Sequence, residues 1–138
     1  MDYRVGHLAY RTQDMQAALD FYTRALEFPH LFSLAGKNGE PWIEYVGTPD
    51  GRFIELFHPT GEEAPAGGGY LHLCLEVDDC AAAVADLEQK GVTIVRPISV
   101  GKDGNYQAWI KDPDGRDIEI MQLGPGSEQG KYRDTLKK

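Results

Sequence analysis

The feature that most constrains this chain is that it nearly repeats itself. Thr-Pro-Asp-Gly-Arg-Phe-Ile-Glu-Leu at 48–56 returns as Asp-Pro-Asp-Gly-Arg-Asp-Ile-Glu-Ile at 112–120, setting Glu119 against Glu55 at an offset of 119 − 55 = 64. Gly-His-Leu-Ala-Tyr at 6–10 answers to Leu-His-Leu-Cys-Leu at 71–75, with His72 against His7 at 72 − 7 = 65. Asp14, Ala17 and Ala18 likewise answer to Asp79, Ala82 and Ala83. Two separate stretches agreeing within one residue imply a duplicated module of about 65 residues.

Each copy runs through the same patterns. It opens on an alternating segment, 4–12 or 70–77, that suits a strand covered on one face. Asp14 then caps a helix whose Met15, Ala18, Leu19, Tyr22 and Leu26 fall at helical spacing before Pro29. Asp79 caps its counterpart, with Ala83, Val84 and Leu87 inward and a stop at Gly91. Three strands complete each copy, at 31–35, 42–46 and 52–57 in the first and at 92–96, 106–110 and 117–123 in the second. Pro-Asp-Gly turns at 49–51 and 113–115 join the last two strands of each set as hairpins. The expected architecture is α+β: tandem βαβββ modules building a cupped mixed sheet within one domain, 1–138. Module one covers 1–60 and module two 70–123, joined by a Gly/Pro/Glu-rich linker at 60–69 and followed by a poorly ordered or surface-lying tail at 124–138.

Strand parity turns the repeat into a site, because successive side chains point to opposite faces. His7 shares a face with Val5, Ala9 and Arg11; His72 shares one with Tyr70, Cys74 and Glu76. The other face of that second strand, Leu71, Leu73, Leu75 and Val77, is apolar and belongs under the helices. In the closing strands Ile54 and Leu56, or Ile118 and Ile120, take the helix side and leave Glu55 or Glu119 on the side of the histidines. A lone strand histidine is ordinarily core or surface, and a glutamate between aliphatic residues can simply face water. All four at repeat-equivalent positions on one face point instead to a divalent metal held by His7, Glu55, His72 and Glu119. Two imidazoles and two carboxylates suit Ni²⁺ or Zn²⁺ first, then Co²⁺, Mn²⁺ or Fe²⁺, and disfavour the all-oxygen shells of Mg²⁺ and Ca²⁺.

Composition closes off other classes. A formal net charge of −8 opposes nucleic acid, and Lys131, Arg133, Lys137 and Lys138 are the one basic cluster. No apolar run approaches the roughly 20 residues of a membrane span, and Met1-Asp2-Tyr3-Arg4 lacks the profile of a signal peptide, so a cytoplasmic protein without a membrane partner is expected. Cys74 and Cys80 are expected to be free thiols.

These residues resemble the vicinal oxygen chelate superfamily, which includes glyoxalase I, extradiol dioxygenases, methylmalonyl-CoA epimerase and fosfomycin-resistance enzymes. The resemblance covers about 3–123. It rests on His-Leu-Ala-Tyr-Arg-Thr at 7–12, Ala-Leu-Asp-Phe-Tyr at 18–22, Tyr-Leu-His-Leu-Cys-Leu at 70–75 and Asp-Pro-Asp-Gly-Arg-Asp-Ile-Glu at 112–119. A His, Glu, His, Glu set is similar to that of glyoxalase I. The resemblance thus implies a metal-dependent lyase/isomerase of the lactoylglutathione lyase type, acting on the hemithioacetal of a 2-oxoaldehyde and a thiol. A 1,2-proton shift through an enediolate needs a Lewis acid and a base. The resemblance gives Glu119 the role of catalytic base, Glu55 that of its catalytic symmetry mate sharing in reprotonation, and Arg11 a grip on a substrate carboxylate. It also implies a homodimer. Two departures stand out: Leu26-Glu27 replaces the usual Leu-Gly at the end of the first helix, and Pro59 replaces a glutathione-binding Asn. The alternatives are an acyl-CoA epimerase, an extradiol-type dioxygenase, or a metal-free binding protein of the bleomycin-resistance type. Phe53, Phe57, Trp42, Trp109 and Met121 could line an apolar pocket, and His58 reads as exposed and structural.

Overall fold

The computed structural model describes residues 5, 7–61, 70 and 72–131. Most of the linker, Leu71, the start of the first strand and the basic residues Arg133, Lys137 and Lys138 lie outside the described residues. The chain divides into two compact units, Met1–Gly68 and Gly69–Lys138.

The first unit runs β1 (His7–Arg11), α1 (Met15–Asp20) continuing into a π-helical turn (Phe21–Ala25), β2 (His30–Ala35), β3 (Pro41–Gly47) and β4 (Phe53–Phe57). Its four-stranded sheet has the order β1-β4-β3-β2, with β1 parallel to β4 and the other pairs antiparallel. The second unit runs β5 (Leu73–Glu76), α2 (Cys80–Gln89), β6 (Arg96–Val100), β7 (Tyr106–Lys111) and β8 (Asp117–Gln122), in the order β5-β8-β7-β6 with the same senses of pairing. Each unit is therefore a βαβββ module with a mixed sheet.

The repeat extends to local geometry. Asp14 and Asp79 sit at φ −140°, ψ 100° and φ −139°, ψ 103°, and each accepts a hydrogen bond from the backbone N–H three residues on, at Ala17 and Ala82. These carboxylates satisfy donors that the first helical turn leaves without partners. The hairpin turns match as well: Gly51 and Gly115 take φ of 80° and 83°, and the Thr48 N–H to Arg52 carbonyl bond is mirrored by Asp112 to Arg116. Ile54, Leu56, Ile118 and Ile120 are at most 2% exposed and form the core beneath the sheets. Burying each stabilises by roughly 1.5–3 kcal/mol.

Three expectations are corrected. The strand expected at 92–96 is found at Arg96–Val100. Helix α2 ends in a Schellman turn, with the N–H groups of Gly91 and Val92 donating to the carbonyls of Glu88 and Leu87, so Val92 is spent on the cap. Pro97 is tolerated because β6 is an edge strand. In the first helix the wide turn rotates the inward face, burying Phe21 and Ala25 beside Met15, Ala18 and Tyr22 while Leu19 and Leu26 stay half-buried. Residues 124–131 are tied down rather than merely lying on the surface. The Asn105 side chain accepts from the Gly124 N–H and donates to Gln129, and Ser127 is buried. Both cysteines are free, as expected, and no helix among the described residues is long and apolar enough to cross a membrane.

The helix ends make opposite predictions. Gly91 has φ 82° with no atom near where a Cβ would stand, so Gly91→Ala lowers stability by about 1–2 kcal/mol through backbone strain alone. Glu27 holds φ 58° without being glycine, so Glu27→Gly raises stability by up to about 1 kcal/mol. Urea unfolding of the two variants checks both signs.

Candidate metal centre

Parallel pairing of the first and last strands decides which side chains meet. Register sets Ala9 opposite Glu55 on β1/β4 and Cys74 opposite Glu119 on β5/β8. A histidine two residues before each of these positions shares their face. His7 Nε2 accordingly lies 2.6 Å from Glu55 Oε2, and His72 Nε2 lies 3.2 Å from Glu119 Oε2. Both carboxylates are buried, at 7% and 8% exposure, whereas both histidines are exposed. The structure thus brings the four residues together by twos, one His–Glu pair in each unit. Among the described residues, no cluster of three or more His, Cys, Asp or Glu side chains is arranged to hold a metal ion.

Each glutamate belongs to a row that crosses its sheet. In the first unit the row is Ala9, Glu55, Tyr45, Phe32; in the second it is Cys74, Glu119, Trp109, Arg96. Tyr45 Oη donates to Glu55 Oε1 at 2.9 Å, and the Tyr45 ring stacks on Phe32 with centroids 4.2 Å apart. Receiving that bond, the Glu55 carboxylate raises the phenol above its ordinary pKa. Trp109 meets the His72 ring edge-on at 4.9 Å, and the Arg96 guanidinium lies 4.2 Å from the Trp109 ring centroid. The Cys74 thiol is pushed up to about 12, first by desolvation and then by the Glu119 and Glu76 charges.

Neutral imidazole nitrogen and carboxylate oxygen are donors that Ni²⁺, Zn²⁺ and Fe²⁺ accept. By donor chemistry, then, the residues present fit a borderline divalent metal. Arg11 sits on the His7 side of β1, where Nη1 donates to the His58 carbonyl at 2.8 Å and the guanidinium lies 5.6 Å from the Phe57 ring centroid. Phe53 and Phe57 flank Glu55 on β4, Trp42 meets Phe57 edge-on, and Met121 is buried.

Sequence reasoning missed two features. Tyr45 is one, although 109 − 45 = 64 is the same offset that relates the glutamates. The other is a cluster around Glu44, whose carboxylate meets His30 Nε2 at 2.8 Å and His58 Nε2 at 3.0 Å and accepts from Ser33. His58 is therefore half-buried and paired rather than exposed. No repeat signal marks it, because the equivalents of His30, Glu44 and His58 are Ile94, Ala108 and Gln122.

Comparison with known proteins shows the family and the fold. The family model described as Glyoxalase/Bleomycin resistance protein/Dioxygenase superfamily matches residues 4–120. A lactoylglutathione lyase of Neisseria meningitidis serogroup B is 30% identical over 135 residues, covering 94% of this chain and 98% of that one. A probable chloroplastic lactoylglutathione lyase of Arabidopsis thaliana is 33% identical over 136 residues, 91% of this chain but 37% of that longer protein. A solved glyoxalase family protein from Enterococcus faecalis shares the fold with a TM-score of 0.75 at 22% identity, covering 86% of this chain and 97% of that one.

The Glu44 cluster makes a pH prediction. Burial pushes the Glu44 carboxyl up, but hydrogen bonds from His58, Ser33 and His30 outweigh it and hold the group below the ordinary glutamate value. A folded pKa below the unfolded one contributes stability that is fully present above the unfolded value, about 4.3, and is lost as pH falls through the folded value. Glu44→Gln is therefore less stable than the unsubstituted protein at neutral pH, and the gap closes on acidification below about pH 4. Denaturant midpoints measured across that range check it.

Proposed function

This chain belongs to the glyoxalase/bleomycin resistance protein/dioxygenase superfamily, and we propose that within it the protein acts as a glyoxalase I-like lyase. Its substrate would be the hemithioacetal of a 2-oxoaldehyde and a thiol, isomerised to a 2-hydroxyacyl thioester. The observation that carries this reading is the repeated His–Glu pair, with a carboxylate in the first unit as well as the second. Relatives named lactoylglutathione lyase, at about 30% identity over nearly the whole chain, support the reaction type.

His7, Glu55, His72 and Glu119 would hold one divalent ion, Ni²⁺ or Zn²⁺ in preference to Co²⁺, Mn²⁺ or Fe²⁺. When bound, the ion supplies Lewis acidity that favours negative charge on the two adjacent substrate oxygens. The rest falls to the chain. The C–H bond at the hemithioacetal carbon breaks and its proton passes to the Glu119 carboxylate. A proton is returned to the neighbouring carbon, while the hydroxyl proton moves to that carbon's oxygen. Glu119 suits the task because it is buried yet faces the exposed His72, and general-base work of this kind contributes about 10²–10⁴ in rate. Glu55, held by His7 and Tyr45, is its symmetry mate. Trp109 sets the His72 ring by its edge contact. Arg11, half-buried and anchored on the His58 carbonyl, is the candidate to meet a substrate carboxylate. A homodimer working on a small molecule in the cytoplasm, without nucleic acid or membrane, completes the proposal.

Incubating the Ni²⁺-loaded protein with methylglyoxal and glutathione, and following thioester absorbance, tests it. Glu119→Gln is expected to lower kcat by about 10²–10⁴. A rate no higher than that of the metal-free control would reject the lyase assignment. Oxygen uptake with Fe²⁺, or exchange of the α-proton of an acyl-CoA thioester into deuterated water, would move the protein to another branch of the superfamily.

A further inference from the structure

The two carboxylates stand at equivalent positions of a duplicated module but are not equally held. Glu55 is gripped at both oxygens: Oε2 lies 2.6 Å from His7 Nε2, and Oε1 accepts from Tyr45 Oη at 2.9 Å. Glu119 has a longer contact, 3.2 Å to His72 Nε2, and its second side-chain partner is the Cys74 thiol, a weak donor. The residue that would repeat Tyr45 is Trp109, which has no hydroxyl and spends its edge contact on the His72 ring. Tyr45 in turn is fixed by Phe32, whose ring lies within 17° of parallel to its own, so the hydroxyl is presented to Glu55 by packing rather than by chance rotation.

From this we propose that Tyr45 is a positioning residue: it fixes Glu55 as the stationary, metal-holding carboxylate, leaving proton transfer to Glu119. The inference rests on the metal-dependent reading above and adds the division of labour between its two glutamates. A partner that hydrogen-bonds a ligating carboxylate orients it before the ion arrives, and losing such a partner typically weakens metal binding by about 10–100-fold. The carboxylate that must swing to take up and release a proton is better left with the longer contact and weaker donor that Glu119 has. The duplicated scaffold would make both glutamates alike, and the Tyr45 hydroxyl on Glu55, set against the weaker Cys74 thiol on Glu119, separates them.

The test is a Ni²⁺ titration of the full chain in competition with a chromogenic chelator, using the unsubstituted protein, Tyr45→Phe, Glu55→Gln and the double variant. Tyr45→Phe keeps the ring stacked on Phe32 and removes only the donor. It is expected to weaken Ni²⁺ binding by about 10–100-fold and to have no further effect once Glu55 is Gln. At saturating Ni²⁺ its kcat stays within about threefold of the unsubstituted enzyme, because Tyr45 acts through Glu55 and not on the substrate. If Glu55→Gln binds too weakly to titrate, the Glu119→Gln background carries the test, and Tyr45→Phe keeps its full effect there. Unchanged affinity in Tyr45→Phe, an additive loss in the double variant, or a fall in kcat at saturating metal overturns the role of Tyr45 while leaving the metal reading in place. Failure of the unsubstituted chain to bind Ni²⁺ overturns both.

Discussion

In each unit the first strand lies parallel to the last, and the candidate centre depends on that single pairing. Residues 55 − 9 = 46 and 119 − 74 = 45 positions apart become lateral neighbours, Ala9 with Glu55 and Cys74 with Glu119, and the histidine two places earlier reaches the same carboxylate. The register is strongly specified. A slip of one residue would turn Ile54 and Leu56, or Ile118 and Ile120, out to the histidine face and drive a glutamate into the core those side chains fill. Removing four aliphatic side chains from water favours the observed register, and an unpaired carboxylate in an apolar interior would be costly in any other. The core residues therefore position the glutamates.

Much of this was legible because it is periodic. The repeat gave the order of elements, the capping aspartates, the hairpin glycines and the faces of the four candidate ligands. What escaped was aperiodic or lateral. Strand β6 lies four residues later than its apolar pattern suggested, since Val92 closes the helix and an edge strand accepts Pro97. The π-helical turn at Phe21–Ala25 shifts a face that a regular helical period would have fixed. Parity within one strand can be read from sequence. Which residue of a neighbouring strand stands alongside depends on register and bulges, so Tyr45 and Trp109 could not be set beside their glutamates in advance.

The repeat also provides a baseline against which departures carry meaning. On the side of the sheet away from His7, unit one places Glu44 between His30, His58 and Ser33, where unit two has Ala108, fully buried, with Ile94 and Gln122 at the histidine positions. Gln122 there accepts from the Cys80 N–H at the start of α2, bracing the helix rather than an ion pair. One module thus carries a charged, hydrogen-bonded cluster where its copy relies on apolar packing, and the two units should respond differently to pH despite sharing a fold.

On the histidine side the departures fall along the glutamate rows: alanine against cysteine, tyrosine against tryptophan, phenylalanine against arginine. Symmetry alone would deliver two interchangeable carboxylates. A reaction that moves one proton between adjacent carbons needs one group that moves and a frame that does not, and an equally mobile pair would blur the geometry that proximity demands. The phenol that donates to Glu55, against an indole that packs on His72 in the other unit, makes the carboxylates unequal while the strands, their pairing and both histidines match across the repeat. On the proposed reading, a site built this way would keep the His–Glu pair that the fold provides twice and acquire direction from what lies one strand further along.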